Sequence, residues 1–407
     1  MTTLPLHGYR VLDLSRALAG PFCAMTLGDL GADVVKVEPT PGGEMIRGWG
    51  PFDQGISVYF LSVNRNKRSL ALNFRDPAAI ELIRKMAASA DVLIENFKPG
   101  TMEKMGLDYA DLRKANPKLV YANVTGFGRD GPYGDWPGVD QIAQGMSGLM
   151  SITGPKGGEA TRVGVPIGDL VAGMWAAIGV QAALLQRASS GLGQRVETSL
   201  LGSLVGMLCL QGQRYLSLGE VPRMAGNDHP LVWPYGTFEA KDGPFNMAAT
   251  SDDMWKSLCG LLDLQHLAEH PDFKDNTARA NSRDELRRVL NERFASRTRM
   301  EWTRELVKLG LPAGPIYDMA DVFADPQVQH QKMTETIEHP ILGPLRQLAS
   351  PVKMEALGGR SVRKPPPILG EHSRAVLRDY HIEADQIDRL IQAGTVTCAT
   401  ETTDASQ

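Results

Sequence analysis

The stretch Tyr9–Glu38, "YRVLDLSRALAGPFCAMTLGDLGADVVKVE", contains two short apolar runs, "YRVLDLS" and "ADVVKVE", that read as strands. Between them Pro21 to Leu30 has helical character. The same alternation continues outward: "SLALNF", "ADVLIEN" and "LVYANVTG" read as further strands, with helical segments from Pro77 to Ser89 and Tyr109 to Asn116. Two of the three helices open with Pro at a first-turn position. Short strands alternating with helices over the first 125 residues are the pattern of a parallel sheet covered on both faces. The expected fold is therefore α/β, with a doubly wound, Rossmann-like body. In such sheets ligands bind beyond the carboxyl ends of the strands, which draws attention to the loops after Leu14, Glu38, Asn73, Glu95 and Val124.

A chain of 407 residues is too long for one ordinary core, so a second, smaller domain is expected. From Gly126 to Gly168 the composition shifts to Gly, Pro, Asp and aromatics, an irregular stretch of the kind that carries function. An apolar helix and a small-residue-rich one near Thr198 to Gly212 follow. "YGTFEAKDGPFNMAA" then reads as a hairpin opening a smaller α+β unit, 226–325. Capping boxes at Ser282 with Glu285 and at Thr298 with Glu301 are expected to start helices in it. "KPPPILGEHSRAVL" begins a last helical segment, and the tail, 396–407, is expected to be disordered.

The formal charge of −4 gives no basic field for nucleic acid or an anionic membrane, so neither is an expected partner. Four scattered cysteines, Cys23, Cys209, Cys259 and Cys398, form no CxxC pair, and the eight histidines have no metal-ligand spacing. No metal is expected, and a reduced, cytoplasmic location fits. The first residues lack the basic and apolar regions of a signal peptide. The apolar run Leu170 to Leu185 falls short of a membrane span and reads as a buried helix.

Asp169 stands at the head of that run with no cation beside it. A charge next to an apolar segment is costly unless it is capped, paired or used, so three roles compete: helix cap, packing accident, catalytic group. Glu38 could be the ribose acid of a dinucleotide site, but Gly20 stands alone where G-x-G-x-x-G would cradle a pyrophosphate, which argues against such a cofactor. Basic residues gather in "VNRNKRSLALNFR" (Arg65, Lys67, Arg68, Arg75) and in "ENFKPGTMEK" (Lys98, Lys104). As a set they could hold a phosphorylated handle, with Phe97 as a flat surface for adenine, or they could be a solvated face. Arg47 and Arg162 could each clamp a carboxylate or lie idle on the surface.

The motifs "RVLDLSRALAGPF", "GADVVKVEP", "NRNKRSLALNF", "DVLIENFKPGTMEKMGLDY", "NPKLVYANVTGFGRDGPY", "GVPIGDLVAG" and "GEHS", in this order and spacing, resemble the class III CoA-transferase family, the group of formyl-CoA transferase and the CaiB/BaiF proteins. The resemblance covers nearly the whole chain. It implies a large Rossmann-like domain made of both chain ends, 1–215 and 330–395, around a small inserted domain, and an interlocked homodimer. Carried over by position, Asp169 matches the catalytic aspartate. Leu72, Asn73, Arg75, Asn96, Phe97, Lys98 and Lys104 match positions that hold the adenine and phosphates of CoA, and Asp140 matches an acidic position near the reaction centre. Coenzyme A would be a substrate, and no resident cofactor is implied.

There are departures from the pattern. Leu18 replaces a glutamine of the formyl-CoA transferases, Pro39 replaces a basic phosphate contact, and no Gly-rich lid is visible around Asn246 to Ser251. The text "SRALAGPF", "SVNRNK" and "GLMSITGP" is closer to relatives that move CoA between dicarboxylates such as succinate and glutarate. Val139 stands where related 2-methylacyl-CoA racemases carry a histidine, which ranks transfer above isomerisation, with a non-catalytic CoA-binding protein as a third reading. A carboxylate nucleophile keeps the activation of a thioester by forming a mixed anhydride, then an aspartyl-CoA thioester. Each step needs oxyanion donors, for which the Gly126–Gly154 loop or the loop near Asn246 is a candidate. Asp169, near a helix N-terminus, is expected to stay ionised at neutral pH. A second carboxylate on the substrate would need a cation, and Arg47, then Arg16, is the expected clamp.

Overall fold

The computed structural model describes residues 3–399. Seven strands make one sheet: β1 (Arg10–Asp13), β2 (Asp33–Pro39), β3 (Lys67–Leu72), β4 (Val92–Glu95), β5 (Val120–Thr125), β6 (Arg195–Ser199) and β7 (Val396–Thr397). Their spatial order is β7-β3-β2-β1-β4-β5-β6. The first six run parallel, and β7 lies antiparallel on β3, pairing Val396 with Leu72. Strand order reverses at β1, whose Leu12 lies between Val35 of β2 and Leu93 of β4. A crevice opens at such a reversal, between the loops that leave β1 and β4.

The helices of this unit that matter to the site are α1 (Ala19–Asp29), α2 (Val58–Val63), α3 (Pro77–Ala87), α4 (Tyr109–Ala115), α5 (Asp140–Met146), α6 (Ile167–Ser190), α7 (Leu200–Met207) and α8 (Cys209–Leu218). Successive strand residues serve opposite faces. Leu12, Val35, Leu70 and Leu93 pack against α3 and the helix Ser373–Asp379. Val11, Val34, Val92 and Val120 pack against α1 and α6. Burying each such side chain contributes about 1.5–3 kcal/mol. The helix α6 lies so close to α1 that a Cβ on Gly173 would stand 2.5 Å from the Ala19 carbonyl oxygen, so the glycine sets the approach.

The chain divides into two compact units, the first taking residues up to Leu149, Arg162–Gly219 and the chain from His330 on, the second Met150–Thr161 and Glu220–Gln329. The second unit has a three-stranded antiparallel sheet, with Gly243–Ala248 between Tyr235–Ala240 and Ala313–Pro315. Trp233, Phe238, Phe245, Trp255, Phe294 and Trp302 build its core.

Several expectations are corrected. The apolar helix runs 24 residues rather than 16, because Ile167 to Asp169 and Gln186 to Ser190 join it. It is long and apolar enough to cross a membrane, and one face is buried against the sheet while Met174, Trp175, Ile178 and Leu185 are exposed. Val396 and Thr397 are strand, not tail, since the free edge of β3 accepts them. The rest of the expected tail, from residue 400, lies outside the described residues. Thr298 forms its capping box with Glu301, whereas Ser282 makes no side-chain cap. Ser282 also ends the preceding helix Asn276–Asn281, and its amide is already bonded to that helix.

Candidate active site

The crevice is built on a buried ionic floor at the end of β1. The Asp13 carboxylate accepts from Lys67 Nζ at 2.8 Å, from the Ser15 amide at 3.0 Å and from the Ser15 hydroxyl. Lys36, from β2, lies 3.7 Å from Asp13 and 3.3 Å from Glu44, and donates to the Ser15 carbonyl at 2.8 Å. Burial pushes the Asp13 carboxyl up, the charges of Lys36 and Lys67 pull it down, and the result is a lowered pKa. Above this floor Glu44 accepts from the Ala17 amide at 3.2 Å, with Ala17 in the left-handed region at φ 57°. Asn96, just beyond β4, accepts from the Arg16 amide at 2.7 Å and donates to the Arg16 carbonyl at 2.8 Å. The loop from Ser15 to Ala19 is thus held from three sides.

A cavity of about 470 Å³ opens over that loop. Its lining includes Arg16, Leu18, Asn96, Phe97, Lys98, Asp140 and Asp169, all expected from sequence. It also includes Met45, Trp49 and Tyr59, which sequence reading missed. Tyr59 sits in α2, a short helix started by Ser57, whose hydroxyl accepts from Phe60 N. The aromatic cluster in "GWGPFDQGISVYF" was the available signal. Burial, then the charges of Asp169, Asp140 and Glu44, raises the pKa of the Tyr59 phenol, so its hydroxyl faces an acidic neighbourhood.

Asp169 is the third residue of α6 and makes no hydrogen bond or ion pair among the described residues. It is not the cap. That place belongs to Asp140, the first residue of α5, whose Oδ1 accepts from the Gly168 amide at 2.8 Å while Oδ2 accepts from Gln144 Nε2 at 2.8 Å. Gln144 is fully buried and in turn accepts from the Val163 amide at 2.9 Å. A Cβ on Gly168 would come within 3.0 Å of Asp140 Oδ1, so only glycine lets the cap seat. The expectation of a fully ionised Asp169 is corrected: burial first, and the Asp140 charge second, push its carboxyl up to about 7. Desolvation outweighs what the helix N-terminus offers.

Other expectations change with the structure. Arg47 does not line the cavity; its guanidinium binds Glu38 at 2.6 and 2.8 Å, donates to the Pro367 carbonyl and lies 3.7 Å over Phe60. These contacts commit Nε and Nη2 to the fold rather than to the cavity, and Glu38, held by Arg47 and Ser69, is no ribose acid. Three of the four clustered cations are committed within the fold: Arg65 to Asp29, Lys67 to Asp13, and Arg68 to Asp33 and Asp379. Arg75, Lys98 and Lys104 are exposed. Leu72 is fully buried in the sheet, so its carbonyl, which accepts from Thr40, is what it presents. Leu72, Asn73, Arg75 and Lys104 lie outside the cavity lining. Asn73 leaves β3 with its amide bonded to the Thr395 carbonyl at 2.9 Å. Of the oxyanion-loop candidates, Gly126 and Gly138 line the cavity, packed so tightly that a Cβ on Gly126 would lie 2.6 Å from Gly138 Cα. Asn246 belongs to the second unit, where it accepts from the Thr237 hydroxyl at 2.7 Å.

Against this geometry stand the known proteins. The model of CoA-transferase family III matches residues 6–373. The chain is 39% identical over 394 residues to the succinyl-CoA:glutarate CoA-transferase of Homo sapiens, covering 96% of this chain and 90% of that protein. It is 38% identical over 393 residues to the succinyl-CoA:mesaconate CoA-transferase of Haloarcula marismortui, covering 93% and 97%. The crystal structure of a CAIB/BAIF family protein from Brucella suis superposes with a TM-score of 0.84 at 39% identity, over 93% of this chain and 100% of that one. The chain therefore belongs to CoA-transferase family III, and it is an enzyme of that class.

Proposed function

We propose that this enzyme moves CoA from succinyl-CoA to a small dicarboxylic acid, with Asp169 as the nucleophile. The observation that carries the reading is the carboxyl of Asp169, unpartnered in the cavity while Asp140 caps its helix. The Asp169 carboxylate attacks the acyl carbonyl, forming a mixed anhydride and releasing CoA thiolate. The thiolate attacks the aspartyl carbonyl of the anhydride, expelling the donor acid and leaving an aspartyl-CoA thioester. The acceptor carboxylate attacks that thioester, releasing the thiolate again and forming a second anhydride. Attack of the thiolate on the acceptor's acyl carbon gives the new acyl-CoA and regenerates Asp169. A carboxylate with a pKa near 7 is more basic than an ordinary one, which favours attack.

In this reading CoA is a substrate and no resident cofactor or metal takes part. Its adenine and phosphates follow Leu72, Asn73, Arg75 and Lys104 to the cavity mouth at Lys98. The sheet is taken as Rossmann-like, with the strand order β3-β2-β1-β4-β5-β6 in support. The protein works as an interlocked homodimer in the cytoplasm; exposed Trp175, Ile178, Leu210, Tyr215 and Leu216 on α6 and α8 are the apolar surface a second copy would cover. The test is chemical trapping. Turnover with succinyl-CoA and hydroxylamine should leave a hydroxamate on the peptide carrying Asp169; turnover without it, and undiminished in Asp169→Ala, would end the reading.

A further inference from the structure

The cavity that holds Asp169 is acidic at one end: Asp169 and Asp140 both line it, and Glu44 lies behind the loop beneath. A dicarboxylic acyl group brings one more negative charge into this space. Two basic residues line the cavity, Arg16 and Lys98, and Lys98 is exposed to water. Arg16 is half-buried, and its guanidinium lies 4.4 Å from the centre of the Phe97 ring. It makes no ion pair with any described carboxylate, in contrast to Arg47, Arg65 and Arg68, each of which is committed to an acid of the fold. A partly desolvated guanidinium without a counter-ion is costly to keep. Burial lowers its pKa, offset in part by Glu44, so the fold has not matched its charge.

The main chain of Arg16 is locked from both sides by Asn96, and the next residue is locked by Glu44. The loop geometry therefore does not depend on the side chain. What the side chain supplies is a planar, five-donor fork at the cavity wall, seated on an aromatic face and with no anion of its own.

We infer that Arg16 takes the free carboxylate of the acyl group and so selects dicarboxylic over monocarboxylic acids. This rests on the transferase reading only for the identity of the reaction. The donor and the acceptor occupy the cavity in turn, so one guanidinium serves both halves of the cycle, binding the carboxylate that does not react. Phe97, which sequence reading assigned to adenine, is the platform that holds the fork.

The test compares wild type, Arg16→Gln and Arg16→Lys, each as the full chain. One readout is the ratio of kcat/KM for glutarate over pentanoate as acceptors. A second is equilibrium binding of free glutarate and free pentanoate, followed by tryptophan fluorescence with Trp49 in the cavity. Losing a charge-assisted, two-pronged contact lowers affinity on the order of 100-fold, so both ratios should fall by about that factor in Arg16→Gln and by less than about tenfold in Arg16→Lys. Parallel losses for the two acids overturn the inference, as does weakened binding of CoA alone with the acid ratios intact, which would make Arg16 a phosphate contact. A wild type that moves no CoA yet binds glutarate through Arg16 defeats the transferase reading and leaves this one standing. A wild type that binds both acids alike defeats the inference.

Discussion

Replacing Asp169 with Asn should stabilise the protein, and more so as pH rises. Burial and the charge of Asp140 lift the Asp169 carboxyl from 3.8 to about 7 in the folded state. A group raised on folding holds its proton where the unfolded chain has released it, so stability falls as pH rises from about 4 to about 7 and is flat above. A lift of this size corresponds to about 4 kcal/mol against the ionised form. Asp169 is only half-buried, and solvent screening reduces the figure to about 1–2 kcal/mol. Asparagine carries no such penalty. The gain of Asp169→Asn over wild type should therefore grow by about 1 kcal/mol between pH 5 and pH 8, or about 1–2 °C in Tm for a chain of this size. Thermal unfolding of both proteins at matched concentration and at several pH values measures it. The dependence on pH is diagnostic, because Asn has packing effects of its own that do not titrate. A gain that is constant with pH, or that shrinks towards pH 8, would refute the claim that this carboxyl is held high by desolvation.

Attack requires the Asp169 carboxylate, so kcat/KM for the acyl-CoA should rise with pH through a midpoint near 7, and Asp140→Asn should move that midpoint down by removing the like charge. The asparagine Oδ1 can still accept from Gly168, so the cap survives; an unmoved or raised midpoint would count against the coupling. Arg47→Ala should cost stability, about 3 kcal/mol, because Glu38 is left buried with half its partners, while the ranking of acceptor acids stays the same. A selective loss of dicarboxylates in that variant, measured across an acid panel, would restore Arg47 as the clamp.

The strands that were legible from sequence are those buried on both faces. The strands β1 to β5 are near-continuous apolar runs because helices cover them on two sides, and such runs announce themselves. The edge strand β6 reads "RVETS", half-buried except for the exposed Glu197, and β7 is two residues long; neither carries a pattern that differs from a loop. The same logic divides the site. Asp169 stood out because a charge in front of an apolar helix is a local anomaly. The fate of Arg47 was invisible, because its partner Glu38 reaches it only through a turn at Gly43, at φ 77°, that brings the end of β2 back on itself. Lys67 and Arg68 looked like a phosphate cradle, since composition shows clustered cations but not the strand register that brings Asp33, the first residue of β2, next to Arg68, nor the reach of Lys67 across β2 to Asp13, the last residue of β1.

That register also explains why so much charge is buried beneath a site that needs only one reactive carboxyl. Asp13, Lys36, Lys67 and Glu44 contribute little net stability as ion pairs, since desolvation offsets most of the attraction. What they fix is direction: the main chain of residues 15 to 17 is bonded to them, so the cavity wall cannot relax towards Asp169 and solvate it. Asp140 acts in the same sense from the other side. By taking the Gly168 amide and Gln144 it satisfies its own charge and occupies a donor at the start of the helix. In the proposed cycle Asp169 becomes neutral when it is acylated, and a carboxylate that the fold has left poorly solvated loses less on becoming neutral. Supplying a new donor to Asp169 should therefore slow acylation even though it makes the ionised form more comfortable, a result opposite in sign to what a simple binding role for this side chain would give.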